Sequence, residues 1–311
     1  MAIGDIHFDK VSLLLSFETA SDNATDTADP PSAFVDSSAY GAEPYYSNST
    51  RLRKDARGLN GNVMEVWNWS SPVGLRFYAA DQFNFGTGDF TIEFRALITG
   101  GNSTSDYPNI LACPEFAVRK LDVGGGYQFR VGASQWLTTD ASNISATELT
   151  PIMVSRASGV YRMFINGVLS STYSGSTGSS LEATSMLVFG GGGYGTLIEA
   201  SSRYFGFYDQ LRITKGVARA TASYTPSTTP FPTYAAQFLG NVKDATGANA
   251  SRLIRAFRED TGAPVGAAVS DPVTGNYTLN SAYAGACTLV FYPAPEEGSL
   301  NALVLRGVTP V

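Results

Sequence analysis

The residues of this chain that could do chemistry are few, and their spacing argues against most of the reactions they could support. Asp89 and Glu93 are the nearest approach to a paired-carboxylate site. Four residues apart, they share one face of a strand, and retaining glycoside cleavage needs two carboxyl groups about 5 Å apart, one as nucleophile and one as acid. The Gly86-Thr87-Gly88 turn puts Asp89 at the start of that strand, and Glu93 alternates away from Phe90, Ile92 and Phe94, so the pattern predicts a solvated strand face. The order Glu-x-Asp-x-x-Glu, which would place carboxylates along one strand, does not occur. His7 is the single histidine, which excludes a multi-histidine metal centre and leaves any histidine-based triad one candidate. Gly190 to Gly195 has the glycine content of a phosphate loop, but no helix pattern follows and no Lys-Ser/Thr pair closes it, so a turn between strands is expected. No catalytic residue is assigned.

Binding chemistry is better represented. A flat aromatic ring stacks on the C–H face of a sugar while a neighbouring amide reads its hydroxyls. Tyr45, Tyr46 and Asn48, then Trp67, Asn68 and Trp69, then Trp136 beside Gln135, and finally Tyr194 are the candidate ligand-binding residues. Trp67 and Trp69 share one strand face, so filling the core is the competing role for both. Nucleic acid is not an expected partner, because 21 basic against 27 acidic side chains leave a net charge of −6 with no basic block.

The elements that must position these groups are strands. With 32 glycines and only 15% charged residues among 311, the chain suits turn-rich β structure, and no window shows convincing 3.6-residue periodicity. Alternation predicts strands over 11–17, 63–67, 74–78, 90–97, 116–121, 127–131, 151–156, 160–165, 168–173, 186–189 and 204–213. The polar passage 18–62 is expected to wrap the surface. Asn166-Gly167 between two apolar runs predicts a type I′ hairpin. In the closing strand Phe205, Phe207, Leu211 and Ile213 are read as one apolar face, which puts Asp209 on that same side and calls for hydrogen bonds or a bulge to accommodate it.

Three prolines within TPSTTPFPT (225–233) predict a semi-extended linker, so the expected domains are 1–224, a linker at 225–235, and a small antiparallel β-sandwich at 236–311. Six strands are predicted in the last, over 237–242, 252–257, 265–269, 276–279, 287–291 and 303–308, joined by Asp-started, Gly-ended turns. Cys113 and Cys287 fall in different domains and are expected as buried free thiols. The first residues lack a signal-peptide core and no run of about eighteen apolar residues occurs, which predicts a soluble product of a cytoplasm with no membrane insertion.

The phrases DQLRIT, KGVAR and YTP near residues 209–226, with VSLLLSFE at 11–18, FGTGDFTIEF at 85–94 and YRMFINGVL at 161–169, resemble the laminin-G-like, concanavalin-A-like jelly-roll domains of bacteriophage virion proteins. GNVKDATG, IRAFREDTG, SDPVTGNYTL and NALVLRGVTP are similar to the transthyretin-like or carboxypeptidase-regulatory-like β-sandwich appended to phage structural proteins. The resemblance implies an all-β fold and a non-enzymatic role in the virion. A tail fibre or tail-tip component that binds a host surface glycan is the first expectation, a capsid decoration, cementing or head-fibre protein the alternative, and a glycan-cleaving enzyme of laminarinase type a distant third. It further implies contacts with other virion proteins, assembly as a homo-oligomer such as a trimer, and no cofactor beyond a structural Ca²⁺, for which the loops offer Asp22, Asp26, Asp29, Asp106 and Asp140.

Overall fold

A computed structural model describes residues 4–17, 30–38, 40–67, 74–78, 80–101, 109–112, 116–121, 126–131, 135–139, 144–174, 186–189, 204–293 and 302–310. The chain forms two compact units, Lys10–Phe231 and a smaller one built from Met1–Asp9 with Pro232–Val311. Both are antiparallel β structures, so the all-β sandwich class is as expected.

The larger unit carries β1 (Val11–Leu15), β2 (Tyr46–Asn48), β3 (Thr50–Lys54), β4 (Asn62–Val66), β5 (Gly74–Tyr78), β6 (Phe90–Gly101), β7 (Asn109–Ala112), β8 (Phe116–Lys120), β9 (Tyr127–Val131), β10 (Gln135–Thr138), β11 (Thr150–Ala157), β12 (Val160–Ile165), β13 (Val168–Ser174), β14 (Met186–Phe189) and β15 (Tyr204–Lys215). One sheet runs β13-β12-β11-β6-β15-β4-β3 with β1 joined to β15, and the facing sheet runs β10-β9-β8-β7-β14-β5-β2. Alternate residues of each sheet point inward. Phe90, Ile92, Phe94, Val154, Tyr161, Leu211 and Ile213 meet Leu75, Phe77, Phe116, Val118, Phe129 and Phe189 in one core. Aromatic contacts join the layers, Phe94 edge-on to Phe189 at 5.7 Å and Phe129 tilted on Tyr161 at 6.4 Å.

The closing strand β15 departs from simple alternation. Its register against β6 slips between Asp209 and Arg212, and Gln210 takes a positive φ of 55°. The slip is a bulge that moves the side-chain phase by one residue. Tyr208, Leu211 and Ile213 therefore enter the core, whereas Phe207 packs on the outer face with Val63, Leu97 and Leu149. The expectation that Phe207, Leu211 and Ile213 share one side is corrected by this bulge, and Asp209 lies on the outer side, fully buried.

That outer face is not solvated. Residues 217–231 run across it as a strap: Thr91 Oγ1 donates to the Val217 carbonyl, Ser155 Oγ to the Ala220 carbonyl, and Tyr224 N–H to the Gly167 carbonyl. The Tyr224 ring meets Phe164 edge-on at 5.6 Å. The stretch 225–231, expected as part of a linker, belongs to the larger unit. Under the strap, Glu93 is 7% exposed and accepts from Arg212 Nε at 2.8 Å, with Arg219 Nε at 3.5 Å. The solvated face predicted for Glu93 is thus corrected: a carboxylate that alternates away from the core is covered by a second layer, and its charge is met there by arginine.

The smaller unit has β16 (Ala236–Asn241), β17 (Leu253–Arg258), β18 (Pro264–Val269), β19 (Asn276–Ser281), β20 (Cys287–Phe291) and β21 (Leu303–Val308), in a two-stranded sheet β16-β19 and a four-stranded sheet β18-β17-β20-β21. Phe238, Ile254, Ala256, Leu279 and Leu289 form its core together with Cys287, which is a buried free thiol; Cys113 lies outside the described residues. Its turns follow the sequence pattern. Asp271 Oδ1 accepts from Val273 and Thr274 N–H, and Gly275 closes the turn at a φ of 71°.

The Asn166-Gly167 hairpin joins β12 to β13 with φ of 50° and 75° at its two central residues, the type I′ requirement. A Cβ on Gly167 would also stand 2.0 Å from the Tyr224 carbonyl oxygen. Gly167→Val, which adds backbone strain to loss of the strap contact, is expected to destabilise the larger unit by about 2 kcal/mol or more, and a melting temperature equal to wild type would refute this.

Candidate functional site

Two exposed tyrosines form the best-defined aromatic surface. In β5 the residues Leu75 and Phe77 face the core, so Arg76 and Tyr78 fall on the opposite side. Tyr45 precedes the edge strand β2 and is tied to β5 by its N–H to the Arg76 carbonyl at 2.9 Å. The Tyr45 and Tyr78 rings stack at 4.0 Å between centroids and 19° between planes. Tyr78 is 67% exposed and Tyr45 37%, well above what a tyrosine serving only the core would show. Stacked face to face, the two rings cover one face of each other, and the outer face of the more exposed Tyr78 ring is left as a flat apolar plate at the sheet edge, the shape that takes the C–H face of a sugar ring.

The remaining sequence candidates distribute unevenly around this plate. Tyr46 pairs with Arg76 and Asn48 with Gly74 in β2, so their backbones continue the same edge. Ser49, at a φ of 53°, turns the chain out of β2 into β3 of the other sheet, and Trp67 N–H donates to the Ser49 carbonyl at 3.2 Å. Trp67 thereby reaches the corner just beyond Asn48. It is half-buried, with the Arg51 guanidinium 4.6 Å from its ring centroid, and so neither fills the core nor stands free. Trp136 does not join this group. It occupies the same cross-strand row as Tyr46, through Arg130, Ala117, Ala112, Val188 and Arg76, but at the opposite edge of the sheet. Six strand spacings separate them, about 29 Å. Asn68, Trp69 and Tyr194, the glycine run 190–195, and the proposed calcium ligands Asp22, Asp26, Asp29, Asp106 and Asp140 lie outside the described residues. Among the described residues no three His, Cys, Asp or Glu side chains are grouped so as to hold a metal ion.

Tyr78 was not singled out from the sequence. The alternation in 74–78 already put it on the outer face, but its partner lies in the polar passage 18–62, where β2 and β3 gave no apolar alternation to reveal them. The carboxylates considered for catalysis have other partners. Glu93 is held by Arg212, and Asp89 Oδ1 accepts the Ser158 N–H at 2.9 Å at the β11–β12 turn.

No known protein family and no curated protein matches this chain. Among solved structures it is similar to the binding domain of Paraclostridial Mosquitocidal Protein 1, at 13% identity over 94% of this chain and 77% of that one, with a TM-score of 0.52. At that identity the likeness shows the fold. Domain 4 of AbnA, a GH43 extracellular arabinanase from Geobacillus stearothermophilus in complex with arabinotriose, aligns at 16% identity over 67% of this chain and 94% of that one, with a TM-score of 0.47. Trypanosoma rangeli sialidase aligns at 12% identity over 67% of this chain and 31% of that one, with a TM-score of 0.45.

Among the described residues the most perturbed carboxyl is that of Asp209. Burial pushes its carboxyl up to about 6, against the lowering effect of the Leu59 N–H, Gln210 and the nearby Arg95. Because the folded value lies above the ordinary 3.8, the folded protein keeps a proton that the unfolded chain has lost. The stability this confers is complete below about pH 4 and is lost as pH rises through about 6, at no more than about 1.4 kcal/mol per pH unit. Asp209→Asn keeps an acceptor for Leu59 and has no proton to lose. Its melting temperature relative to wild type is expected to rise from pH 4 to about pH 6 and then level off, and a difference independent of pH would refute the assignment.

Proposed function

We propose that this protein binds glycan without cleaving it, as an attachment component of a bacteriophage tail. The observation that carries the reading is the stacked, exposed Tyr45–Tyr78 pair on a sheet edge, continued by Tyr46 and Asn48 towards Trp67. A single exposed ring face makes a weak site, which suits sites used many times on a repetitive surface polysaccharide. A homo-oligomeric virion protein supplies that multiplicity.

The non-catalytic part of the reading rests on where the carboxylates are committed. Glu93 is neutralised beneath the strap, Asp89 caps a turn, and Asp209 is enclosed. None of the three stands beside the tyrosine plate in its sheet; all belong to the eight-stranded sheet or its margins. The phage-like phrases of both units support the virion as the compartment, and the tail is the place within it that glycan binding would suit.

Adsorption of the purified protein to host cells, with isolated surface polysaccharide as competitor, tests this. Tyr78→Ala is expected to weaken binding about tenfold while shifting stability by less than about 0.5 kcal/mol, because the ring is mostly exposed. Unchanged binding in that variant would remove the plate from the site, and release of reducing ends from the polysaccharide would overturn the non-catalytic reading.

A further inference from the structure

The Tyr78 ring is mostly exposed, so few contacts of its own set its rotamer, and the face it offers depends on Tyr45 stacked behind it. Tyr45 in turn ends a loop that packing alone does not hold. Within residues 34–44 only Phe34 and Ala42 pack on the core, while Val35 is 62% exposed, Tyr40 52%, and Glu43 also faces solvent.

Asp36 supplies the missing order. Its carboxylate, 9% exposed, accepts four hydrogen bonds: Oδ1 takes the Leu14 N–H at 2.8 Å and the Ser38 N–H at 2.9 Å, and Oδ2 takes the Ser38 Oγ–H at 2.8 Å and the Ala42 N–H at 2.7 Å. Leu14 lies in β1 of the eight-stranded sheet, and its carbonyl accepts the Ser37 N–H at 2.8 Å, so the loop is moored there. The other donors to Asp36 all belong to the segment leading to Tyr45. Ser38 Oγ also accepts the Tyr40 N–H at 3.2 Å, and Gly41 turns the chain at a φ of 57°. Between Ala42 and the Tyr45 N–H, which is bonded to β5, stand only Glu43 and the buried Pro44, whose ring fixes one dihedral. The Tyr45 backbone is clamped from both sides, by Asp36 and by β5.

We propose that Asp36 is the positioning residue of the tyrosine plate, holding the loop so that the Tyr45 ring backs Tyr78 before any sugar arrives. This role rests on the plate being the glycan site. A ring already ordered is not immobilised at the expense of affinity, so loss of the clamp weakens binding about two- to tenfold. A carboxylate that served stability alone would act whether or not Tyr45 is present.

Two measurements on the full chain separate these roles. With isotope-labelled tyrosine, the NMR signal of the Tyr78 ring lies under the ring current of Tyr45, and Tyr45→Ala removes that shift. Asp36→Asn, which replaces one acceptor oxygen by an amide N–H₂, is expected to move the Tyr78 signal towards its Tyr45→Ala position while the signals of the buried Tyr161 and Tyr208 stay in place. Adsorption to isolated surface polysaccharide should fall about two- to tenfold in the wild-type background and no further in the Tyr45→Ala background. Ser38→Ala, which removes the hydroxyl shared by Asp36 and Tyr40, gives the same comparison if Asp36→Asn folds poorly. A Tyr78 signal unmoved by both variants, or an equal loss of binding with and without Tyr45, overturns the positioning role. Polysaccharide binding indifferent to Tyr78→Ala would overturn the plate as the glycan site, and with it this role in binding, even where the NMR shift behaves as expected.

Discussion

The larger unit depends on a polar knot at the bulge of β15. Asp209 Oδ2 accepts the Leu59 N–H from the β3–β4 loop at 2.8 Å. Gln210 donates from Nε2 to the Ser16 carbonyl at 3.1 Å and accepts the Phe231 N–H on Oε1 at 2.8 Å. Asn60 donates to that same Ser16 carbonyl at 2.7 Å. Four segments distant in sequence are therefore joined by two adjacent side chains. Both are fully buried, so each bond forms where losing it leaves a group without water.

The knot also explains the topology. β15 pairs with β6 along its length, but on its other side it pairs with β4 through Gly206–Tyr208 and with β1 through residues 211–214. The bulge lies where one neighbour ends and the other begins. Without it, Phe207, Asp209, Leu211 and Ile213 would share a face, and either the carboxylate would enter the core or the two apolar residues would leave it. The positive φ at Gln210, unusual for a residue with a side chain, is the local strain that the surrounding bonds sustain.

Much of the architecture could be read from alternation. The strands at 74–78, 127–131, 160–165, 186–189, 287–291 and 303–308 have the observed limits, because each is a short alternating or apolar run bounded by turn residues. β2, β3, β7 and β10 escaped notice for a physical reason. They are three to five residues long, and β3 (TRLRK) spends its side chains on ion pairs with Glu65 rather than on apolar packing. Only the end of the strap, 225–231, reads as linker in the sequence, because proline spacing describes backbone stiffness and not what the backbone touches. The site was half legible: Tyr45 drew attention as an aromatic in a polar loop, but its stacking on Tyr78 is a long-range contact across two sheet-edge strands that local pattern does not encode.

The strap has a mechanical corollary. Its last tie is Phe231, whose ring lies 3.9 Å beneath the Arg212 guanidinium and whose N–H is held by Gln210. A pull on the chain beyond that residue would reach the strap from its end. The ties at Phe231, Ser227, whose carbonyl accepts from Arg95, Tyr224, Ala220 and Val217 would then part in succession rather than together, each release lengthening the chain by a few residues. The strap would yield in steps, and because its first tie is a bond of the knot itself, a tug would loosen the bulge at Gln210 before it strained the sheets.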